Sequence, residues 1–510
     1  MSAIFIVVFT SVFTGLNILV AFFMVNWTSA ISIVHFFVYV PINVGVAYGL
    51  SELVFSVALK KREPPKLDTL RKSSKVALLY VTCDDAMPEI ISELKKQTYE
   101  RCDLFILDDS SKEMYKNMVD KSGKGAKVLR RKSRQGFKAG NLNNWLARYG
   151  DEYEYFSVAD SDSRLPCDFI ENMLKYAEHP ANKDIAIFQS KIRYWNTENR
   201  FVKTLSAMGP FWMFKAEKIG SRLKTLLSYG HNDLVRTKYI KEIGGYDEAF
   251  VSEDFASSLR LFEKGYEIRM VDVESSEAMP NTVQSYAKRQ ARYCKQSFQI
   301  LRLLPLSVPL ATKLRLAMNA YSYAVWPIFS IGAFLSIWGY SSSFGGLLSL
   351  TKFIVTGSVL HSPFLAPLLI IIFYQFYFTL LRLPLALKLG ISAKEYFNNL
   401  VLTMAVGFYA SVPVLKALIE TMLGKEVEFE VTDKRCGETP SVYQIIYETR
   451  LIVITAYLLT IGLIKNPMAL AFNFPWLLPL MFTPLIIHVF TPGLPLAHKG
   501  QKGALAKKKL

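Results

Sequence analysis

Cysteine and charge are both scarce in this chain of 510 residues. Its five cysteines are odd in number and are not spaced as metal ligands, so the sequence supports neither a disulfide framework nor a zinc site and predicts reduced thiols. Charged residues make up 20% of the sequence and hydrophobic residues 51%, and no repeats or low-complexity tracts occur. This balance excludes an ordinary soluble protein and predicts a membrane part joined to a soluble part.

The charges that are present are mostly positive, and the formal net charge is +17. Basic runs such as Lys60-Lys61-Arg62 and Lys507-Lys508-Lys509 stand beside apolar segments. That position is typical of cytosolic membrane edges and of attraction to anionic lipid. The charge therefore predicts membrane lipids as partners and argues against a nucleic-acid-binding role.

Long apolar segments occur toward both ends of the chain. A helix that crosses a bilayer core of about 30 Å takes about 20 residues. Segments of that kind lie at 3–25, 31–58, 316–340, 364–386, 445–465 and 468–491, and 347–360 is compatible with a re-entrant piece. The sequence predicts a multi-pass protein of the cell membrane, with an N-terminal transmembrane hairpin (1–60), a block of transmembrane and interfacial helices (301–493) and a basic cytosolic tail (494–510).

The apolar segment 397–423 is predicted to lie in the membrane surface rather than to cross the membrane. Ser392 and Glu395 form a capping box that starts a helix early, and Pro413 together with two charged residues interrupts its second half. An interfacial helix also keeps the next loop, 424–440, on the cytosolic side with the basic tail.

Residues 66–300 are polar and predict a cytosolic α/β domain. Short β-rich runs alternate here with helical patterns, the runs at 76–81, 104–107 and 155–159 and the helices at 88–96 and 166–178. Such alternation predicts a mainly parallel sheet. Ligands of parallel sheets bind at the carboxyl ends of the strands.

Paired carboxylates follow two of the predicted strands. Asp108-Asp109-Ser110 ends one strand and Asp160-Ser161-Asp162 ends the other, so we expect both pairs at one edge of the sheet. Hard oxygen ligands in that position suit Mg²⁺ or Mn²⁺ bridging a diphosphate. A solvated turn is the alternative interpretation of each pair.

A basic loop that contains glycine runs from Arg130 to Asn141, between the two carboxylate pairs. It enters a helical pattern at Lys138-Ala139-Gly140-Asn141. Such a loop is a natural diphosphate contact, because helix starts attract anions. A solvated charged face is the alternative.

Two further motifs precede the second membrane block. Ser252-Glu253-Asp254 stands at a helix start, where a carboxylate can accept a proton from an incoming hydroxyl; a helix N-cap is the alternative. Arg289-Gln290-Ala291-Arg292-Tyr293 lies on a helix beside the membrane. There Arg292 can neutralise a leaving diphosphate and Tyr293 can stack on a sugar, with an interfacial anchor as the alternative.

In their order and spacing, these motifs resemble the membrane-embedded family 2 glycosyltransferases, and cellulose synthase most closely, over residues 70–440. The resemblance implies an α/β GT-A-type domain inserted in an α-helical transmembrane bundle, and a UDP-sugar donor with Mg²⁺ or Mn²⁺. By the same resemblance Asp109 contacts the uridine, Asp160 lies near the nucleotide and Asp162 holds the metal. Asp254 is then the catalytic base and Glu253 a second catalytic residue, and the remaining substrate contacts are Lys138, Gln290, Arg292 and Tyr293.

A polar hexapeptide at 429–434 carries a further family signal. Phe429, Val431, Thr432 and Lys434 match the Phe-x-Val-Thr-x-Lys pattern of the gating loop in cellulose synthases and related glucan synthases. The resemblance implies that the loop 424–440 covers the active site. It favours glucan or mannan chemistry over hyaluronan or chitin synthesis.

Three of the family's motifs are changed in this chain. Its Thr-Glu-Asp is Ser252-Glu253-Asp254 here, its Gln-x-x-Arg-Trp begins with Arg289 and ends with Tyr293, and its Asn-Glu after the first strand is Asp84-Asp85. The acids of the first motif are kept. A phenol replaces the indole that stacks on the acceptor, and the contacts to the base are expected to differ.

The sequence thus predicts processive, inverting transfer of a hexose from a UDP-sugar, with UDP-glucose as the favoured donor. The acceptor is a growing β-linked polysaccharide that is translocated across the membrane. Alternatives are a non-processive transferase for a lipid-linked acceptor and a mannan, hyaluronan or chitin-type synthase. A transporter with a degenerate transferase domain is less favoured, because the acids at 109, 160, 162 and 254 are intact.

Overall fold

The computed structural model describes residues 2–24, 27–28, 30–58, 63–70, 74–250, 252–301, 307–339, 382–424 and 481–490. The strands are β1 (Val76–Thr82), β2 (Cys102–Asp108), β3 (Lys127–Leu129), β4 (Tyr155–Asp160), β5 (Ile185–Tyr194), β6 (Asp233–Arg236) and β7 (Glu267–Glu277). The helices are α1 (Ser2–Met24), α2 (Ala30–Ala58), α3 (Pro88–Leu94), α4 (Glu113–Ser122), α5 (Phe137–Tyr149), α6 (Phe169–Ala177), α7 (Arg200–Ser206), α8 (Gly209–Lys215), α9 (Ser221–Leu223), α10 (Thr237–Glu242), α11 (Glu253–Glu263), α12 (Val283–Leu301), α13 (Leu310–Gly339), α14 (Leu383–Lys388), α15 (Ala393–Met422) and α16 (Thr483–Phe490).

The strands form one sheet in the order β3-β2-β1-β4-β6-β5-β7. β1 is parallel to both β2 and β4, and β3 is parallel to β2, as the alternation of strands and helices predicted. β6 is antiparallel to β4 and β5, while β7 is parallel to β5. The prediction of a mainly parallel sheet is therefore correct for β1–β4 and too simple for the other half.

The reversed strand β6 has a direct consequence for the site. After β5 the chain passes through α7, α8 and α9 and re-enters the sheet from the edge at which β1, β2 and β4 end. The start of β6 therefore lies at this edge, where the amide N–H of Asn232 donates to the carbonyl oxygen of Val158 at 2.7 Å. The residues just before β6 are thereby brought to the carboxyl ends of the parallel strands.

Both faces of the sheet are buried. Val76, Leu78 and Tyr80 of β1 pack on one face against α3 and α6. Ala77 and Leu79 alternate with them and pack on the other face, against the α5 residues around a fully buried tryptophan. Burial of each large apolar side chain contributes about 1.5–3 kcal/mol, so these two layers hold the strand ends in place.

Helix α12 continues from the sheet domain and packs against α15. Buried apolar side chains of both helices share one cluster, and the Lys295 ammonium pairs with the Glu420 carboxylate at 2.5 Å. The predicted capping box at Ser392 and Glu395 is confirmed. The predicted interruption at Pro413 is wrong, because α15 continues through it to Met422 and the charge of Glu420 is compensated by the α12 lysine.

Of the residues that the structure describes, α15 alone is long and apolar enough to cross a membrane, and 61% of its most apolar window is buried against the chain. The multi-pass bundle and the interfacial position of α15 stay predictions. The gating-loop residues Phe429, Val431, Thr432 and Lys434 lie outside the described residues, as do the predicted span 445–465 and the tail 494–510.

Candidate active site

The two predicted carboxylate pairs lie at one edge of the sheet. β1 runs between β2 and β4, and its last residues are in register with Asp108 on one side and Asp160 on the other. The turn after β1 connects them: Asp85 accepts hydrogen bonds from the Thr82 and Ser161 hydroxyls at 2.8 and 2.7 Å. Asp85 therefore stabilises the turn that holds the two strand ends together.

The first carboxylate pair is bound by the basic loop that follows β3. Asp108, fully buried, pairs with Arg130 at 2.7 Å. Asp109 forms a two-point pair with Arg131, at 2.5 and 3.0 Å. The arginines at the start of the predicted diphosphate loop thus neutralise these aspartates. The assignment of Asp109 to the uridine stays a prediction.

Lys138 is the centre of the second group of charges. Its ammonium donates to the Asp160 carboxylate at 2.7 Å and to the Gly230 carbonyl oxygen at 3.0 Å. The nearest oxygen of Glu253 lies 3.8 Å away. Burial by itself would lower the pKa of Lys138, but the charges of Asp160 and Glu253 outweigh it and hold this pKa above its ordinary value. Lys138 is therefore a fixed cation at neutral pH.

Lys138 lies where an α-helix ordinarily favours an acidic residue. It lies in the first turn of α5, where the helix dipole favours anions rather than cations. The helix starts from Gly136, whose φ of 68° is in the left-handed region that favours glycine, and a Cβ there would meet the Glu248 side chain at 2.5 Å. The acidic neighbours Asp160 and Glu253, rather than the helix dipole, therefore stabilise the cation in this place.

Glu253 and Asp254 begin α11 beside this lysine. Ser252, which the sequence offered as an N-cap, makes no side-chain capping bond. Burial raises the pKa of Glu253 to about 7, although Lys138 opposes the change. Burial likewise raises the pKa of Asp254 above its ordinary value, again against Lys138. Glu253 and Asp254 thus take up protons at a pH closer to neutrality than ordinary carboxyl groups do, and both lie near the Lys138 cation.

Gly230 separates the lysine from the catalytic candidate Asp254. Its φ is 75°, and a Cβ at this position would lie 3.0 Å from the Asp254 Cβ and 3.2 Å from one carboxylate oxygen. Glycine is therefore required both for the backbone conformation and for the close approach. The Gly230 carbonyl oxygen also accepts a hydrogen bond from the Lys138 ammonium. This glycine therefore contacts both Lys138 and Asp254 and fixes their relative position.

His231 and Glu277 belong to the cluster although the sequence patterns did not single them out. His231 Nε2 lies 2.6 Å from a Glu277 oxygen, and Nδ1 lies 2.8 Å from the Tyr229 carbonyl oxygen and 3.8 Å from Asp160. Burial would lower the pKa of His231, but Asp160 and Glu277 raise it to about 10. The polar residues that precede the short strand β6 are the sequence signal from which His231 could have been predicted.

The raised pKa of His231 predicts how the stability of the protein depends on pH. The folded state binds the His231 proton more tightly than the unfolded chain does. The stabilisation by protonated His231 is therefore fully present below the ordinary pKa of 6.5 and is lost as pH rises through about 10. We expect the thermal midpoint of the parent protein to exceed that of His231→Gln at about pH 6, and the gap to shrink toward about pH 10. Thermal unfolding across this range measures it. A gap that stays constant would contradict a charged histidine.

The predicted α12 residues lie in a layer of aromatic and basic side chains. The guanidinium of Arg292 lies 5.4 Å from the centre of the Tyr293 ring, and that ring is 5.9 Å from Tyr323 of α13. Burial raises the pKa of Tyr286, and the neighbouring Arg289 and Gln290 oppose the change. Arg289, the position that departs from the family motif, is within electrostatic reach of Glu277 and so connects this layer to His231.

The second pair fits a metal ion carried by a diphosphate. Asp160 is about one-third exposed (34%), whereas Asp162 is fully buried and accepts from the Ala278 N–H at 2.8 Å. Among the described residues no group of three or more His, Cys, Asp or Glu side chains is placed to hold a metal. One or two carboxylates are what Mg²⁺ uses when phosphate and water supply the other ligands. The donor set fits that arrangement rather than an all-protein cage.

The sequence profile of glycosyl transferase family group 2 matches residues 155–391 of this chain. The match includes Asp160, Asp162, Asp254 and Arg292, whereas Asp109 and Lys138 precede it. The family resemblance of the sequence motifs is thus confirmed.

Curated relatives carry glycan-synthesis names. A probable glucomannan 4-beta-mannosyltransferase 6 from Oryza sativa subsp. japonica is 29% identical over 199 residues, which are 37% of this chain and 34% of the relative. A glucans biosynthesis glucosyltransferase H from Caulobacter vibrioides is 26% identical over 216 residues, 39% of this chain and 32% of the relative. The matched region spans about a third of the length of these relatives.

Among solved structures, a mannosyltransferase from Pyrobaculum calidifontis in complex with GDP-Man and Mn²⁺ has a similar fold. The TM-score is 0.50 at 15% sequence identity, and the alignment covers 78% of this chain and 99% of the other. At 15% sequence identity, this similarity shows that the two proteins share a fold.

Proposed function

We propose that this protein transfers a hexose from a nucleoside-diphosphate sugar to the hydroxyl group of a β-linked glycan. The donor proposed from the sequence is UDP-glucose, and the transfer is processive and inverting, with the polymer moving across the membrane. The observation that carries the proposal is the convergence of Lys138, Asp160 and Asp254 at the carboxyl ends of the parallel strands. This edge is where sheets of this class bind their ligands.

Each member of the cluster has a distinct task in such a transfer. Asp254 takes the proton from the acceptor hydroxyl, and its raised pKa moves it toward the range in which a general base works well. Lys138 and His231 are cations at neutral pH and compensate the negative charge of the departing nucleoside diphosphate. Asp162, with Asp160 beside it, would hold a divalent ion, which would supply further positive charge at the diphosphate.

Exposed apolar side chains on α15 support a position at the membrane. They form two groups, Phe397 and Val401 before the buried residues 404–411, and Val412, Leu415, Ile419 and Met422 after them. Exposed apolar patches of this kind are typical of surfaces that contact lipid or protein. We propose that α15 lies in the cytosolic membrane interface.

A mannose donor is the second candidate, because a relative is named as a glucomannan mannosyltransferase. Transfer to a lipid-linked acceptor is the alternative for the second substrate. Both alternatives use the same carboxylates and the same basic side chains. The donor and the size of the product therefore distinguish them.

The test is a donor panel with the purified full chain in lipid nanodiscs. UDP-glucose, GDP-mannose and UDP-N-acetylglucosamine are supplied with Mg²⁺ or Mn²⁺, and nucleotide release and product mass are measured. We expect release from one hexose donor and a ladder of products that a linkage-specific β-glycosidase degrades. A single product of fixed mass supports the lipid-linked alternative. No release from any donor overturns the proposal.

Chelation supplies the matching control. With EDTA we expect release to stop and to return when Mg²⁺ or Mn²⁺ is added in excess, because the diphosphate then regains its compensating charge. Undiminished release in EDTA would contradict the metal assignment while leaving the transfer reaction in place.

A further inference from the structure

Phe137 has an unusual backbone conformation at the start of α5. Its φ is 47°, in the left-handed region that a bulky residue enters only at an energetic cost. Asp84 and Asn232 also have a positive φ, but aspartate and asparagine tolerate this region. A strained residue persists where the surrounding structure holds it in place, and such residues are concentrated at functional sites.

Burial in the core does not explain the strain at Phe137. The residue is 38% exposed and packs in neither of the two apolar clusters that cover the faces of the sheet. A single exposed apolar side chain is ordinary on a protein surface, but it does not ordinarily require a strained backbone. An asparagine or a glycine would relieve the strain with little loss of buried apolar area. Packing in the sheet clusters therefore does not account for a phenylalanine at this position.

Arg131 holds the strained segment against the first carboxylate pair. Its guanidinium pairs with Asp109 and also donates to the carbonyl oxygens of Gln135 and Phe137, at 2.7 and 2.8 Å. Gly140 allows this close packing, because a Cβ there would meet the Gln135 carbonyl oxygen at 2.2 Å. One arginine thus fixes the Phe137 backbone beside Asp109, which the family resemblance assigns to the uridine.

The Phe137 ring lies near the end of β1. The Arg134 guanidinium lies over the ring, 5.6 Å from its centre, and is within electrostatic reach of the Cys83 thiol. That thiol donates to the Asp109 carbonyl oxygen at 3.4 Å. Lys138, the next residue in the chain, contacts the second carboxylate pair. Phe137 therefore lies beside both the aspartate assigned to the nucleobase and the lysine proposed to compensate the diphosphate.

We propose that the exposed Phe137 ring stacks on the nucleobase of the sugar donor. Every nucleobase has a flat aromatic face, and stacking on an aromatic side chain is favourable for each of them. Asp109 then contacts the edge of the base and Lys138 the diphosphate, so the three residues bind different parts of one nucleotide. A nucleotide donor is part of the proposed function, on which this role of Phe137 rests.

Nucleotide binding and stability of the same variant test the stacking role. Full-length protein in lipid nanodiscs is titrated calorimetrically with UDP and separately with pyrophosphate, each with Mn²⁺. We expect Phe137→Asn to weaken UDP binding about tenfold, as the loss of one base–aromatic stack does, and to leave pyrophosphate binding unchanged. Because asparagine tolerates the left-handed region, the thermal midpoint should stay the same or rise. Unchanged UDP affinity would overturn the proposal.

Two further variants make the result specific. Phe137→Tyr keeps an aromatic face and should bind UDP as tightly as the parent protein. Lys224→Asn is the matched control: Lys224 is exposed, has a φ of 56° and pairs with Glu267 at the start of β7, at the opposite edge of the sheet. It should relieve the same kind of strain without changing the affinity for UDP.

Two results for Phe137→Asn would indicate a structural role instead. Equal weakening of UDP and pyrophosphate binding would show that the whole loop has lost its conformation. A fall in the thermal midpoint would show that the ring stabilises the fold. Either result overturns the stacking role.

Donor kinetics separate the stacking role from the proposed function. Stacking on the base is the same in the ground state and the transition state, so Phe137→Asn should raise the KM of the donor about tenfold and change kcat little. Normal transfer with an unchanged KM would overturn the stacking role and leave the proposed function intact. UDP binding that depends on Phe137, in a parent protein that transfers no hexose, would show the proposed function to have failed while the stacking role stands.

Discussion

Asp254→Asn lowers the rate of sugar transfer about 10²–10⁴-fold, the range expected for loss of a general base. The amide keeps the shape of the side chain and an oxygen that can still accept from the Phe255 N–H, so the helix start stays intact. It cannot take up the acceptor proton. We therefore expect donor binding to change little while kcat falls. Nucleotide release under saturating donor, together with calorimetric titration of the nucleotide, measures the two separately.

Glu253→Gln is the neighbouring control for this prediction. Glu253 contacts Lys138 at 3.8 Å and begins the same helix, but the resemblance assigns the base to Asp254. We expect a smaller loss of rate, with a pH profile that loses the contribution of a group of pKa about 7. A normal product yield from Asp254→Asn, or a larger loss from Glu253→Gln, would transfer the role of base away from Asp254.

Lys138→Met should damage both stability and activity. Methionine has a similar length and removes the charge, which leaves the carboxylates of Asp160 and Glu253 without their common cation. Breaking a buried ion pair typically costs 3–5 kcal/mol, and we expect about 3 kcal/mol here because Asp160 is one-third exposed. The thermal midpoint should fall, and nucleotide release should be lost because the departing diphosphate also loses a compensating charge.

Two comparisons make the Lys138 prediction specific. Lys241→Met removes the exposed ion pair with Asp151 and should change stability by less than about 0.5 kcal/mol. In the double variant Lys138→Met with Asp160→Asn, part of the lost stability should return, since the unpaired carboxylate is removed as well, whereas activity should not. Failure of the double variant to recover any stability would show that the lysine acts through something other than this pair.

Local sequence patterns predicted the sheet strands near the site well. The predicted strands at 76–81, 104–107 and 155–159 match β1, β2 and β4 to within a residue or two, because each is a short buried apolar run. The helix starting at Pro88 was also correct at its N-terminus, since proline is suited to the first turn of a helix. The direction of β6 was not predictable, because strand direction depends on where the preceding connection returns to the sheet.

The structure pairs the charged residues of these motifs differently from their grouping in the sequence. Arg130 and Arg131 were grouped with Lys138 in one phosphate-binding loop, yet they pair with Asp108 and Asp109 while Lys138 pairs with Asp160. The reason is that the loop turns at Gly136, so that the residues on its two sides face different strand ends. His231 and Glu277 were missed, because His231 precedes β6 and Glu277 ends β7, and the two side chains meet only in the folded sheet.

The sequence by itself determined the class of this protein, since apolar spans, acids after parallel strands and a recurring set of motifs are properties of neighbouring residues. Tertiary structure alone decided which charges compensate one another, because His231, Lys138 and Asp254 are brought together by an antiparallel strand and two helix starts far apart in the chain. Electrostatic energy depends on distances of a few ångströms in space, and no local pattern encodes those distances.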